Sequence, residues 1–174
     1  EILDRAVAVM QKAGARAEDR TVVLPAREAA AEAEKRGKGH DGIFCGASIQ
    51  LHDRTILTGK NSPLMHASSS LILNAVKHLA GLPDSMSLLP QSLIDSVTYL
   101  KRDILNGKVA SLDLDETLIV LAISALSNPA AQMAMEKLND FRKCEVHLTH
   151  IPTPGDEAGL RKLKVNLTCD PQYS

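Results

Sequence analysis

The stretch "KNSPLMHASSS", residues 60–70, gathers the side chains best suited to chemistry: Lys60, Asn61, Ser62, His66, Ser68, Ser69 and Ser70. It stands directly before an apolar run of helical character. A helix that begins at or just after His66 leaves its first backbone N–H groups unpaired and pointing outward. Together with the macrodipole they form a place for an anion. Lys60 would add charge, Asn61 an amide and the serines hydroxyl donors. His66 is the candidate catalytic residue, able to serve as acid, base or ligand. The expected ligand is small and anionic, phosphorylated or nucleotide-like, at the strand-to-helix junction 59–70. The competing reading is that Ser62 or Ser68 only caps the helix while the other hydroxyls pack.

Several better-defined chemistries each fail on a named residue. A phosphate-binding P-loop needs a glycine five residues before Gly59-Lys60, and that position is Arg54. No H-E-x-x-H or G-x-S-x-G occurs, so neither a zincin protease nor an α/β-hydrolase nucleophile is supported. A hairpin ending in Thr58-Gly59, a loop with Asn61, and His66-Ala67 opening a helix share the outline of the zinc deaminases. Those enzymes continue with Glu, where this chain has Ser68, and later carry a Cys-x-x-Cys that is absent here. A divergent deaminase-like metal enzyme therefore stays an alternative, and no metal ligand or cofactor is assigned.

In "CEVHLTH" (144–150) strand alternation puts Cys144, Val146, Leu148 and His150 on one face, with Glu145, His147 and Thr149 on the other. The two histidines diverge, which counts against a metal pair within the strand. A set of His66, His150 and Cys169 has no support from spacing. Asp113, Asp115 and Glu116 read as helix capping. "TPGDEAG" (153–159) is either a mobile loop with Asp156 and Glu157 in solvent or a strand-to-helix turn with Asp156 near the cap. The turn is preferred.

The elements that must position these residues follow from pattern. Helices are expected over 2–17, 26–37, 66–79, 90–107, 111–128, 129–143 and about 156–163. Strands are expected over 20–25, 43–51, 54–59, 144–150 and 164–169, the second and third forming a hairpin around His52 and Asp53. The alternation points to one α/β domain over 1–174, a three-layer αβα arrangement with a small mixed sheet that includes the hairpin. Helix 111–128 is apolar around much of its circumference, so it is either central to the core or partly at a subunit interface; core is preferred. Self-association as a structural or oligomerisation domain is accordingly a second functional alternative.

With 44% apolar residues, 24% charged and only four aromatics (Phe44, Phe141, Tyr99, Tyr173), the core must be aliphatic. The scarcity of aromatics speaks against stacking platforms for single strands, and a net charge of -1 against a duplex-binding surface. No nucleic-acid partner is expected. The apolar run 118–126 falls far short of the roughly 20 residues of a membrane helix, so no membrane partner is expected either. Three cysteines, an odd count without a C-x-x-C, argue against a disulfide framework and make a reducing cytoplasm the default. The chain opens on Glu1 without an initiator Met and reads as part of a longer protein.

Four long blocks, "GIFCGASIQL", "TGKNSPLMHASSSLILNAVKHLAG", "SLDLDETLIVLAISALSNPAAQMAMEKL" and "CEVHLTHIPTPGDEAGLRKLKVNLTCDP", closely resemble the bacterial domain-of-unknown-function family 1846. The resemblance spans essentially the whole chain and implies the C-terminal portion of a longer two-part protein. It also implies that the N-terminal portion carries a Gly-rich, P-loop-like segment and is this chain's natural partner. Some members of the family have been labelled ATP-dependent peptidases, but neither an ATP motif nor a peptidase motif occurs here. The family brings no established activity and no catalytic residues.

Overall fold

The hairpin is the centre of the construction. In the computed structural model, which describes residues 1–174, β1 (Gly46–Gln50) and β2 (Ile56–Lys60) pair antiparallel, with Gly46 opposite Lys60 and Gln50 opposite Ile56. The chain reverses where Asp53 accepts the Thr55 N–H at 2.9 Å and Arg54 takes a left-handed φ of 70°. β3 (Glu145–Leu148) adds antiparallel to β1, and β4 (Asn166–Cys169) parallel to β3. The result is a four-stranded mixed sheet in the order β2-β1-β3-β4.

Seven α-helices accompany it: α1 (Ile2–Lys12), α2 (Val23–Lys35), α3 (Ala67–Leu79), α4 (Gln91–Tyr99), α5 (Leu114–Ser124), α6 (Pro129–Glu136) and α7 (Pro154–Lys162). Strand alternation sets the layers. Gly46 and Ser48 face α2. A β-carbon at Gly46 would lie 2.1 Å from the Ala26 carbonyl oxygen, and the Ser48 hydroxyl donates to the Val22 carbonyl. The residues between them face α3. Gly59, opposite Ala47, comes so close that a β-carbon would sit 2.3 Å from the Leu71 nitrogen. The sheet is thus the middle of three layers, as expected.

The core on the α3 side is aliphatic, with Phe141 its one fully buried aromatic ring. Leu71, Ile72, Val76, Leu112, Leu114, Leu121, Val146 and Leu160 are closed to solvent there. α5 is two-sided: Leu114, Thr117, Val120, Leu121 and Ser124 are buried, while Ile119 and Ile123 face out.

Residues 20–25 are not a strand. Val23 opens α2, and Pro25 falls in its first turn, where a missing N–H costs nothing. Val22 and Val23 are buried by packing onto the sheet, so tertiary contact overrides their β-branched preference. α1 stops at Lys12, ahead of Gly14 with φ 65°, and does not reach 17. The run expected as one helix over 90–107 is α4 followed by a π-helical turn, Leu100–Ile104. That over 129–143 is α6 followed by a 3-10 segment, Lys137–Phe141. No helix is long and apolar enough to cross a membrane.

Candidate functional site

β2 ends at Lys60, and the chain turns through Asn61 and Ser62 before α3. Asn61 stitches this turn to the strand start: its Oδ1 accepts the Cys45 N–H at 2.8 Å and its Nδ2 donates to the Ile43 carbonyl at 3.0 Å. The Ser62 hydroxyl accepts from the N–H groups of Leu64 and Met65 at 3.2 and 3.3 Å. Leu64 to His66 then run beside Leu112. The His66 N–H donates to the Leu112 carbonyl, and the Leu112 N–H to that of Leu64, both at 2.9 Å. His66 occupies the N-cap position of α3 in extended conformation, and no side chain accepts from the first-turn N–H groups. Neither Ser62 nor Ser68 caps the helix.

The centre of the site is Asp156. It lies in the first turn of α7, whose N-cap is Thr153, and its side chain is 8% exposed. Its Oδ1 accepts the Ser68 hydroxyl at 2.6 Å and the Leu114 N–H at 2.9 Å. Its Oδ2 lies 2.7 Å from His66 Nδ1 and accepts the Thr153 hydroxyl at 3.0 Å. The N-terminal turns of α3, α5 and α7 therefore meet on one carboxylate, where helix dipoles favour negative charge. α5 is separately capped by Asp113, which accepts the Glu116 N–H, while Glu116 receives the Asp113 N–H and the Lys101 ammonium. α7 approaches so closely that a β-carbon at Gly155 would fall 2.0 Å from an Asp113 carboxylate oxygen.

Electrostatics follow from this packing. Burial alone would raise the Asp156 carboxyl, but the hydrogen bond and charge of His66, with the donors from Ser68 and Leu114, hold it below the ordinary value of 3.8. Burial likewise disfavours the His66 imidazolium, yet the Asp156 bond and charge prevail and raise it above 6.5. Nδ1 is committed to Asp156, and Nε2 makes no hydrogen bond to the protein. Cys45, nearby, is pushed up to about 11 by burial and by the charge of Asp156, so it stays a thiol at neutral pH. Burial holds His150 below 6.5.

His66, Ser68 and Asp156 line a cleft of about 190 Å³ together with Cys45, Asn61, Ser62, His150 and Thr153; Lys108 stands at its side. That is smaller than the ~300–1,000 Å³ of pockets for drug-sized molecules and suits a small ligand. No three His, Cys, Asp or Glu side chains gather closely enough to hold a metal ion. The hairpin and the His-Ala helix start are present, but Ser68, which stands where the deaminases carry Glu, is spent on Asp156.

Residues 18–174 match the family model described as "Domain of unknown function DUF1846, C-terminal". The chain belongs to this family. Its relatives include a "UPF0371 protein" of Clostridium tetani (strain Massachusetts / E88), 39% identical over 173 residues, and two of Clostridium botulinum, strain Alaska E43 / Type E3 at 41% and strain Langeland / NCTC 10281 / Type F at 40%. Each match covers 99% of this chain and 34% of the relative. The chain thus spans about a third of the length of these family members. Every residue of the cleft named above lies within the family domain.

Within this C-terminal family domain, the expected site residues divide. Asn61, Ser62, His66 and Ser68 line the cleft. Ser69 is buried and donates to the Leu112 carbonyl at 3.2 Å; Ser70 sits a turn into α3, half-buried and outside the cleft lining. Lys60 points to the other face of the sheet and pairs with Glu32 of α2 at 2.8 Å. Strand alternation already contains that outcome: since Gly59 faces α3, Lys60 must face α2. His147 and His150 diverge as expected. His147 is buried on the α2 side against Thr168, while His150 lines the cleft.

Asp156 is the residue that sequence reasoning placed at a helix cap without seeing its partners. Thr-x-x-Asp is a legible N-terminal signature, and the solvent-facing alternative for Asp156 is overturned by its burial. Nothing in local spacing, however, announces a partner 90 residues away.

Proposed function

We propose that this domain binds a small anionic ligand, phosphorylated or nucleotide-like, in the cleft at the strand-to-helix junction 59–70, with His66 as the contacting residue. The observation that carries the reading is the His66–Asp156 pair at 2.7 Å. It fixes the ring orientation and leaves Nε2 open, and in the protonated ring Nε2–H is a donor to an anion. The raised imidazole keeps more of its positive charge near neutral pH than a free histidine would. Uncapped first-turn N–H groups of α3 add neutral donors, and Lys108 adds a cation at the cleft side. The charge of Asp156 is balanced by its four donors, so it opposes an anion less than an unpaired carboxylate would.

A ligand with a bond that breaks on protonation would find in Nε2 a general acid, which makes catalysis an extension of the same geometry. In the longer family chain, the domain would act as a binding or catalytic accessory to the remaining two-thirds.

Calorimetric titration with inorganic phosphate and with nucleoside mono- and triphosphates tests the proposal. Binding should weaken at least about tenfold in His66→Ala, roughly 1.4 kcal/mol. It should also weaken as pH rises through the elevated His66 value. Absence of binding by all of these ligands, or equal affinity in the variant, overturns the reading.

A second reading has its own observation. Ile119 and Ile123 on the outer side of α5 are 61% and 46% exposed, Leu126 just past its end 86%, and Met133 of α6 49%. Self-association of two copies through this face would cover them.

A further inference from the structure

We infer that α1 packs on the part of the family chain that precedes the C-terminal domain, and that its apolar face is the docking surface between the two parts. The helix itself supplies the first argument. Placing residues at roughly 100° per step, Ile2, Leu3, Ala6, Val7, Val9 and Met10 fall within one arc of about 160°. Asp4, Arg5, Gln11 and Lys12 occupy the opposite side. Such a stripe is the mark of a helix with one face against a core.

Here that face lies open, with only Met10 partly covered. No residue of α1 is buried, and Ile2, Leu3, Val7 and Val9 are 87%, 53%, 45% and 65% exposed. An 11-residue helix is also shorter than the ~12–15 residues at which isolated helices become even marginal in water. α1 therefore requires a partner that residues 13–174 do not supply.

The comparisons say where the partner lies. The C-terminal domain match begins at residue 18, after α1 has ended, yet the similarity to the clostridial proteins runs over 173 residues and so takes in α1. The helix belongs to the family protein but not to its C-terminal domain. About two-thirds of a relative's length lies outside the matched region, and a domain described as C-terminal has that chain ahead of it. Only the short segment 13–22, with a 3-10 turn at Ala17–Asp19, separates α1 from α2. A surface tethered so closely faces the preceding part at millimolar effective concentration, which a second copy in dilute solution does not match.

Amide hydrogen exchange on the full-length family chain and on the 174-residue chain is the test. α1 amides are expected to exchange nearly freely in the 174-residue chain, and at least about a hundredfold more slowly in the full-length chain. The slowing should not depend on protein concentration. Val7→Asp, on the apolar arc, should abolish the protection in the full-length chain while leaving the thermal midpoint of the 174-residue chain unchanged. Should that variant misfold at full length, the comparison of the two unmodified chains still decides. Free exchange in both chains, equal protection in both, or protection that appears only as concentration rises each overturns the inference; the last would give the surface to a second copy.

Discussion

Asp156 holds four donors on two oxygens, and this is more than any neutral replacement can do. Asp156→Asn keeps the volume but turns one acceptor into an NH2 group facing a donor. Since the lost partner is a buried charge with hydrogen bonds, the variant should lose about 3–5 kcal/mol of unfolding free energy, measured by urea denaturation. It should also remove the cause that raises His66, so the imidazole would titrate below its wild-type value in NMR. The sign of the pH dependence follows from the two shifts. The raised His66 contributes stability that is complete below 6.5 and lost as pH climbs through its folded value. The depressed Asp156 contributes stability present above 3.8 and lost as pH falls through its folded value. The pair is intact between those limits, and a wild-type His66 titrating at or below 6.5 would contradict it.

Among elements, the junction of β2 with α3 depends on the missing side chain of Gly59. A β-carbon there would stand 2.3 Å from the Leu71 nitrogen and 2.6 Å from the Ala67 carbonyl oxygen, both backbone atoms that cannot swing aside. Gly59→Ala should push α3 off the sheet, costing roughly 1–3 kcal/mol or more. Because Ala67 and Ser68 line the cleft, phosphate affinity should fall with it; unchanged stability would refute the close approach. At this scale the sequence is most legible where one pattern stands alone. The hairpin, α3, β3 and the Pro-initiated α6 follow from alternation, helical spacing and caps, whereas α7, expected from about 156, begins two residues earlier at Pro154. Val22 and Val23 mislead because β-branched residues before a proline look like a strand end, whereas their burial against Ser48 and the sheet makes them a helix start. Lys60 misleads for another reason: its charge reads as a ligand for anions, and only the pleat shows that it belongs to Glu32.

Across the whole molecule, two exposed apolar surfaces lie on helices, one on a helix with no buried residue and one on the outer side of helices whose inner side belongs to the core. α1 carries one such surface and the α5–α6 outer stripe another. For the second, sedimentation velocity over a hundredfold concentration range should show a dimer that Ile123→Lys dissolves; a concentration-independent monomer would leave the stripe to the rest of the family chain. The cleft was legible only in half. Its β2–α3 side is one continuous stretch of sequence, while the α5 side arrives with Leu112, 43 residues beyond Ser69, and the α7 side with Asp156, 90 residues beyond His66.

That separation bears on how the protein is made. His66 and Ser68 emerge from synthesis 90 and 88 residues ahead of Asp156, so the hairpin and α3 exist before the carboxylate that organises them. Contacts between such distant residues carry a large loop-closure cost and form late. The dyad can close only once β3 has joined β1 and α7 has folded back onto α5. Ligand binding through His66 would then be a property of the finished chain alone, and a nascent or truncated product lacking α7 would present the junction without its chemistry.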